Sequence, residues 1–350
     1  MPETVSPRKS LLRALAGETL PVPPIWLMRQ AGRYLREYRA LREKAPNFLS
    51  FCLTPELATE ATLQPIRRFG FDAAIVFSDI LVVPHALGQR VEFREGEGPV
   101  LEALSGEESV RRLEPSRLVE RTAPLRETLR RVRSALPDAV ALIGFAGAPW
   151  TVATYMVEGG TSRDFTRTKA WSLEEPASFA KLIDCLVTAT AAHLIGQIEA
   201  GADVIQLFDS WAGVLPEPEF RRWVIEPTRR ITQAVKRRHP SVPIIGFPRG
   251  AGALYEAYAV ESGVDAVSLD WQVTLDWARE RLQTRCPVQG NLDPKLLLAG
   301  GSAMADATRA ILAAFRDGPF VFNLGHGILP ETSPDHVATL VELVRGAASA

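Results

Sequence analysis

Four arginines, Arg29, Arg33, Arg36 and Arg39, fall within eleven residues of "IWLMRQAGRYLREYR" (25–39), directly after an apolar stretch that ends at Met28. The whole chain is nearly neutral, with 40 Lys+Arg against 41 Asp+Glu, so this charge is a local feature. A guanidinium stays charged at any working pH and meets a carboxylate through paired hydrogen bonds. Arg29 and Arg33, four apart, would share one face of a helix, and they stand where a strand gives way to it. The pair reads as a clamp for a small molecule with several carboxylates or phosphates. Arg36 and Arg39 read as a solvated helix face, with Glu37 as an ion-pair partner.

Asp79, in "FSDIL", has two readings. It can cap a helix that opens at "DIL". It can also stabilise a cation that forms during reaction. At an effective dielectric near 20, opposite charges ~4 Å apart gain about 4 kcal/mol. If the charge develops only in the transition state, that is on the order of a thousandfold in rate. His326 sits between two glycines in "GHGI", which lets backbone approach a ligand closely; capping or packing is the other reading. Tyr155 is either a core aromatic with its hydroxyl at a rim or a ligand contact. Ser210 in "DSWAG" does not fit the nucleophile pattern G-x-S-x-G, and so caps a helix or donates to a ligand. "GFPRGAG" (246–252) lacks the Lys-Ser/Thr of a phosphate loop. Arg249, Asp270 and Asp293 read as capping or loop-bracing residues. No metal-ligand cluster is visible.

Such residues need a scaffold that brings them to one place. Eight short apolar runs recur along the chain: 24–28, 73–78, 141–146, 203–209, 242–247, 266–270, 287–291 and 320–325. They are continuous rather than alternating, as strands buried on both faces are. Amphipathic helical stretches separate them, which implies parallel pairing through right-handed crossovers. Eight such units predict an α/β fold, a (β/α)₈ TIM barrel, with 1–350 as a single catalytic domain. An open doubly wound sheet would call for a Gly-rich dinucleotide loop after an early strand, and "MRQAGRY" is not one. "VEFREGEGPVLE" (91–102) reads as a hairpin inserted on one loop. In a barrel the chemistry sits after the strand ends, where every candidate above falls.

The totals narrow the function. A net charge of -1 argues against a nucleic-acid or anionic-membrane partner. Three distant cysteines, none in a CxxC, suggest a reducing cytosol. Arg13 and Glu18 interrupt any signal-peptide core, and no apolar run reads as long enough to span a membrane.

"PIWLMRQAGRYLREYR", "FSDIL", "YMVEGG", "FDSWAG", "GFPRGAG", "GNLDP" and "NLGHGI" stand in the order found in the uroporphyrinogen decarboxylase family, which the chain resembles from about residue 5 to 345. The resemblance implies a cytoplasmic homodimer that needs no cofactor and no metal. It implies removal of CO₂ from the four acetates of uroporphyrinogen III, giving coproporphyrinogen III for haem- and chlorophyll-type pigments. Position by position, the family's substrate loop falls on Arg29, Gln30, Ala31, Gly32 and Arg33. Its central carboxylate falls on Asp79, and its other contacts fall on Tyr155, Ser210 and His326. The catalytic role falls on Asp79, Arg29 and Arg33, with Arg29 as the favoured proton donor. Corrinoid- and zinc-dependent methyltransferases of related barrels are one alternative, but they use a His-x-Cys pair that this sequence lacks. A catalytically silent tetrapyrrole carrier is another; it would keep the arginines and have no use for Asp79.

Overall fold

Runs rich in Val, Ile and Phe form strands where both faces of a parallel sheet are covered. The structure, a computed structural model, describes residues 9–94 and 96–346. Its strands are β1 (Ala73–Ile75), β2 (Val91–Arg94), β3 (Gly98–Leu101), β4 (Ala141–Gly147), β5 (Val204–Asp209), β6 (Ile244–Pro248), β7 (Ala266–Ser268), β8 (Val288–Leu292) and β9 (Phe320–Leu324). Seven of them pair in the order β1-β4-β5-β6-β7-β8-β9, all in parallel.

Residues 24–28 fill the place between β9 and β1 and close the (β/α)₈ barrel. Ile25 bridges Phe322 in parallel. The Phe322 N–H donates to Pro24 O at 2.9 Å, and on the other side the Asp72 N–H donates to Ile25 O at 3.0 Å. Side chains supply what the irregular backbone does not. The Asp72 carboxylate accepts the Ile25 N–H at 2.7 Å, and Asn323 Oδ1 accepts the Met28 N–H at 3.0 Å. The first run is therefore a bridge rather than a full strand, and it covers the two outer strands of the seven-stranded sheet, β9 and β1.

The barrel interior packs Trp26, Ile143, Val204, Ile245, Phe247 and Val321. Leu11, Ala14 and Leu15 of the short helix Ser10–Leu15 join the same cluster from below. Lys9, just ahead of that helix, pairs with Asp203 at the start of β5 at 2.6 Å, which places the plug at the N-terminal face. The opposite face is left for the site.

The hairpin of β2 and β3 forms as expected, although Glu95 at its tip lies outside the described residues. It folds back toward the mouth, with the Leu101 N–H donating to Gly159 O at 2.9 Å and Phe93 edge-on to Phe48 at 4.8 Å. One expectation is corrected. Helix Pro176–Glu199, with 24 residues and an 18-residue window of mean hydropathy 1.4, is long and apolar enough to cross a membrane. Its apolar side is buried instead. Gln197 accepts the Phe145 N–H at 2.9 Å and donates to Phe145 O at 2.8 Å, tying the helix to β4.

Candidate active site

A cavity of about 620 Å³ opens among the loops at the C-terminal ends of the strands. Arg29, Ala31, Gly32, Arg33, Asp79, Tyr155, Ser210 and His326 all line it. Gln30 does not. Its fully buried amide accepts the Leu27 N–H at 3.1 Å and donates to Ala73 O at 3.0 Å, bracing the first strand against β1.

The arginine loop is not a helix. Residues 29–35 turn and bend, and the helix spans Arg36–Arg42. The expected shared helix face of Arg29 and Arg33 is thus replaced by loop geometry. Arg29 takes φ +61°, a left-handed conformation unusual for a residue with a side chain. The turn is held by the Gln30 N–H donating to Leu27 O at 3.0 Å and by Tyr34 Oη donating to Gln30 O at 2.7 Å. Arg39 braces the loop from behind by donating to Arg33 O at 2.7 Å. Glu37 pairs with Arg68 at 2.9 Å rather than with Arg36 or Arg39. Arg29 and Arg33 have no carboxylate partner among the described residues.

The glycines around His326 make room for the protein itself. A β-carbon on Gly327 would overlap the Cγ and Cδ of Arg29, and one on Gly325 would overlap the backbone of Trp271. The Ile328 N–H donates to Met28 O at 2.9 Å, so the two loops meet along this slot. Gly327 thus makes room for Arg29 while it also lines the cavity.

Asp79 makes the cap its sequence position allows and keeps one oxygen free. Oδ1 accepts the Leu81 N–H at 2.8 Å, capping the turn that leads into helix Val82–Ala86. Oδ2 has no hydrogen-bond partner among the described residues and is left to the cavity. Burial raises the pKa of Asp79, while the Leu81 N–H and the charge of Arg29 oppose that rise. Burial also raises that of Tyr155. His326 is pushed down to about 3, by burial first and then by Arg29 and Arg249. Its ring lies against Trp271, with centroids 6.4 Å apart and planes 28° apart. At neutral pH it is an uncharged imidazole that can donate and accept hydrogen bonds, not a counter-ion for carboxylates.

Much of the remaining lining is aromatic: Phe48, Phe77, Phe93, Phe145, Phe208 and Trp211. Sequence reading placed none of these in the site. Phe93 had a signal in the hairpin pattern; Phe48 comes from an ordinary short helix, Phe48–Cys52, and had none. Among the described residues, no three His, Cys, Asp or Glu side chains gather to hold a metal.

Behind Ser210, the buried Asp209 receives a hydrogen bond from Thr151 Oγ1 on Oδ1, and its Oδ2 has no partner. Burial lifts its pKa from 3.8 to about 7, against the Thr151 bonds. A pKa raised by folding adds stability that is full below the unfolded value and lost as pH rises through the folded one. At about 1.4 kcal/mol per unit, the ionised form costs a few kcal/mol. Asp209→Asn should therefore gain on the wild type in melting temperature as pH rises from about 4 to about 8. A difference that is flat across that range would refute this.

A barrel mouth with unpaired arginines, one open carboxylate and an aromatic wall defines an enzyme for a small organic polyacid. A model of the uroporphyrinogen decarboxylase family matches residues 6–347. The chain is 59% identical over 338 residues to a uroporphyrinogen decarboxylase of Rhodospirillum rubrum, covering 97% of each chain. It is 53% identical to that of Paracoccus denitrificans, covering 97% of this chain and 99% of the relative. The chain belongs to the uroporphyrinogen decarboxylase family. Among solved structures, a methyltransferase from Methanosarcina mazei superposes with a TM-score of 0.76 at 20% identity, covering 96% of this chain and 97% of that one. At that identity the likeness is one of fold.

Proposed function

We propose that the chain converts uroporphyrinogen III to coproporphyrinogen III by removing CO₂ from its four acetate side chains. The observation that carries this reading is Asp79, an open carboxylate oxygen in an aromatic-lined cavity that also presents Arg29 and Arg33. A pyrrole acetate cannot lose CO₂ directly, because the electrons left behind have no acceptor. Protonation of the adjacent ring carbon creates an iminium-like sink. The C–CO₂ bond then breaks toward the ring, CO₂ leaves, and the exocyclic carbon takes up a proton as the ring gives one back. Each acetate thus becomes a methyl with net uptake of one proton.

Asp79 accepts hydrogen bonds from the pyrrole N–H groups and stabilises the cationic ring, which is electrostatic preorganisation rather than covalent catalysis. The substrate supplies its own electron sink, so no cofactor or metal enters the scheme. Arg29 and Arg33 hold carboxylates, and the loop backbone at Gln30, Ala31 and Gly32 follows the ligand edge. Tyr155, Ser210 and the neutral His326 offer hydrogen bonds. A guanidinium is a poor acid. Arg29 therefore serves by orienting a water or a substrate carboxylic acid that delivers the proton.

The same reading takes the chain as one catalytic domain, working in the cytosol as a homodimer, with no nucleic-acid or membrane partner. The test is anaerobic incubation with the reduced octa-acid, trapping of CO₂, and oxidation of the product for chromatography. Four CO₂ and a tetracarboxylic porphyrin are expected. Recovery of the octacarboxylic porphyrin alone would overturn the reading.

A further inference from the structure

Arg249 follows β6 in "GFPRGAG", where sequence reading made it a loop brace. In the structure the loop is braced by other groups. The Arg249 N–H donates to Asp209 O at 3.1 Å, and the Gly213 N–H donates to Arg249 O at 3.0 Å. The neighbouring Gly250 N–H donates to Asp270 Oδ2 at 2.7 Å. Asp270 is buried and fully engaged: Tyr255 Oη donates to Oδ2 at 3.0 Å and the Gln272 N–H to Oδ1 at 2.9 Å. The backbone at Gly213 and Gly250 approaches so closely that a β-carbon on Gly213 would overlap Gly250. The position of Arg249 is thus set without its side chain.

The guanidinium is held but not used. It lies between two indoles, 5.0 Å from the Trp271 ring centre and 6.0 Å from that of Trp211. Its hydrogen bond to the protein is a long one of 3.4 Å to Ser210 O, against five available donors. It has no carboxylate partner among the described residues. Stacking between aromatic faces fixes a planar fork while leaving its edge free.

Topology places it across the mouth from the first clamp. Residues 24–28, β1, β4, β5 and β6 are successive staves, so the exit of β6 lies halfway around the eight-stave barrel from Arg29. Trp211 and Ser210, on which it rests, line the cavity. His326, which lines the cavity, feels the charge of both Arg29 and Arg249, while Arg249 itself stands just behind the lining, against Ser210 and Trp211.

We infer that Arg249 is a specificity-determining residue: it grips a carboxylate on the edge of the substrate opposite the one held by Arg29 and Arg33. This rests on the reading of the site as one for a tetrapyrrole polyacid, whose carboxylates surround a ring. A clamp on one side alone would accept many small polyacids. Cations on opposite sides select for a ligand that spans the mouth.

The test compares Arg249→Gln and Arg249→Lys with the wild type, by equilibrium binding of uroporphyrin followed through tryptophan fluorescence and by steady-state kinetics. Loss of a charge-assisted bond should weaken uroporphyrin binding and raise KM by roughly tenfold in the glutamine variant. The kcat should stay within about twofold, because the contact exists before and during reaction alike. The lysine variant should recover most of the affinity. It keeps the charge and the aliphatic stem, so it remains informative if glutamine loosens the indole stack. Equal binding by all three proteins, equal damage from lysine and glutamine, or a loss confined to kcat would each overturn the assignment. Uroporphyrin binding does not require turnover. A wild type that releases no CO₂ but whose uroporphyrin binding weakens in Arg249→Gln would sink the catalytic reading and sustain this one. Normal turnover with unchanged binding and KM would do the reverse.

Discussion

Asp79→Asn should bind porphyrinogen nearly as well as the wild type and lose roughly a thousandfold in kcat. Asparagine keeps an oxygen that can accept the Leu81 N–H, so the turn at 79–82 survives. What disappears is the negative charge beside a ring that becomes cationic only during reaction. Loss confined to the transition state appears in kcat rather than KM. The wild-type pH profile should carry the same signature. In the proposed mechanism the ionised carboxylate is the working form, and burial raises its pKa above the ordinary 3.8. Activity should therefore fall on acidification at a higher pH than an ordinary carboxylate would dictate, and this limb should be absent from the residual activity of the variant. A kcat for Asp79→Asn within tenfold of the wild type would remove Asp79 from the chemistry.

Gly327→Val should abolish nearly as much activity as Arg29→Ala, and chiefly by displacing Arg29. A side chain at 327 overlaps the Cγ and Cδ of Arg29, where the arginine side chain crosses between the first and last strand loops. These atoms lie in the middle of the side chain, so the guanidinium cannot hold its place by a small tip movement. We expect kcat/KM to drop roughly a hundredfold in each single variant, since a misplaced clamp costs on that order. The double variant should be scarcely worse than either single one, because both remove the same interaction. Additive losses would show that Gly327 acts through something other than Arg29.

Much of this was legible in the sequence for a physical reason. Strands covered on both faces must be continuously apolar, and the eight runs coincide with the seven paired strands and the closing bridge. A barrel gathers its strand exits, so Asp79, Tyr155, Ser210 and His326 come together despite lying far apart in the chain. Features set by three-dimensional approach were not legible. Spacing suggested a helix under Arg29 and Arg33, but the left-handed backbone at Arg29 ends the strand in a bend instead. Gln30 belonged to the expected substrate loop, yet its amide turns inward to hold two strands together. The glycines flanking His326 were read as space for a ligand; that they also make space for Arg29 and Trp271 could not be seen in the sequence. Phe48 reaches the site from outside the barrel, where no strand-end rule points.

The closing stave, residues 24–28, is fastened partly by Asp72 and Asn323 side chains and leads straight into the arginine loop. Shutting the barrel and assembling the clamp are therefore one event. A chain with that seam unlatched has a nearly complete sheet and no grip on its substrate. Such local opening precedes global unfolding wherever a segment is held by fewer bonds than its neighbours. The seam should therefore work as a fuse: heating is expected to turn the catalyst off before the sheet comes apart, and closure to restore it without refolding the rest.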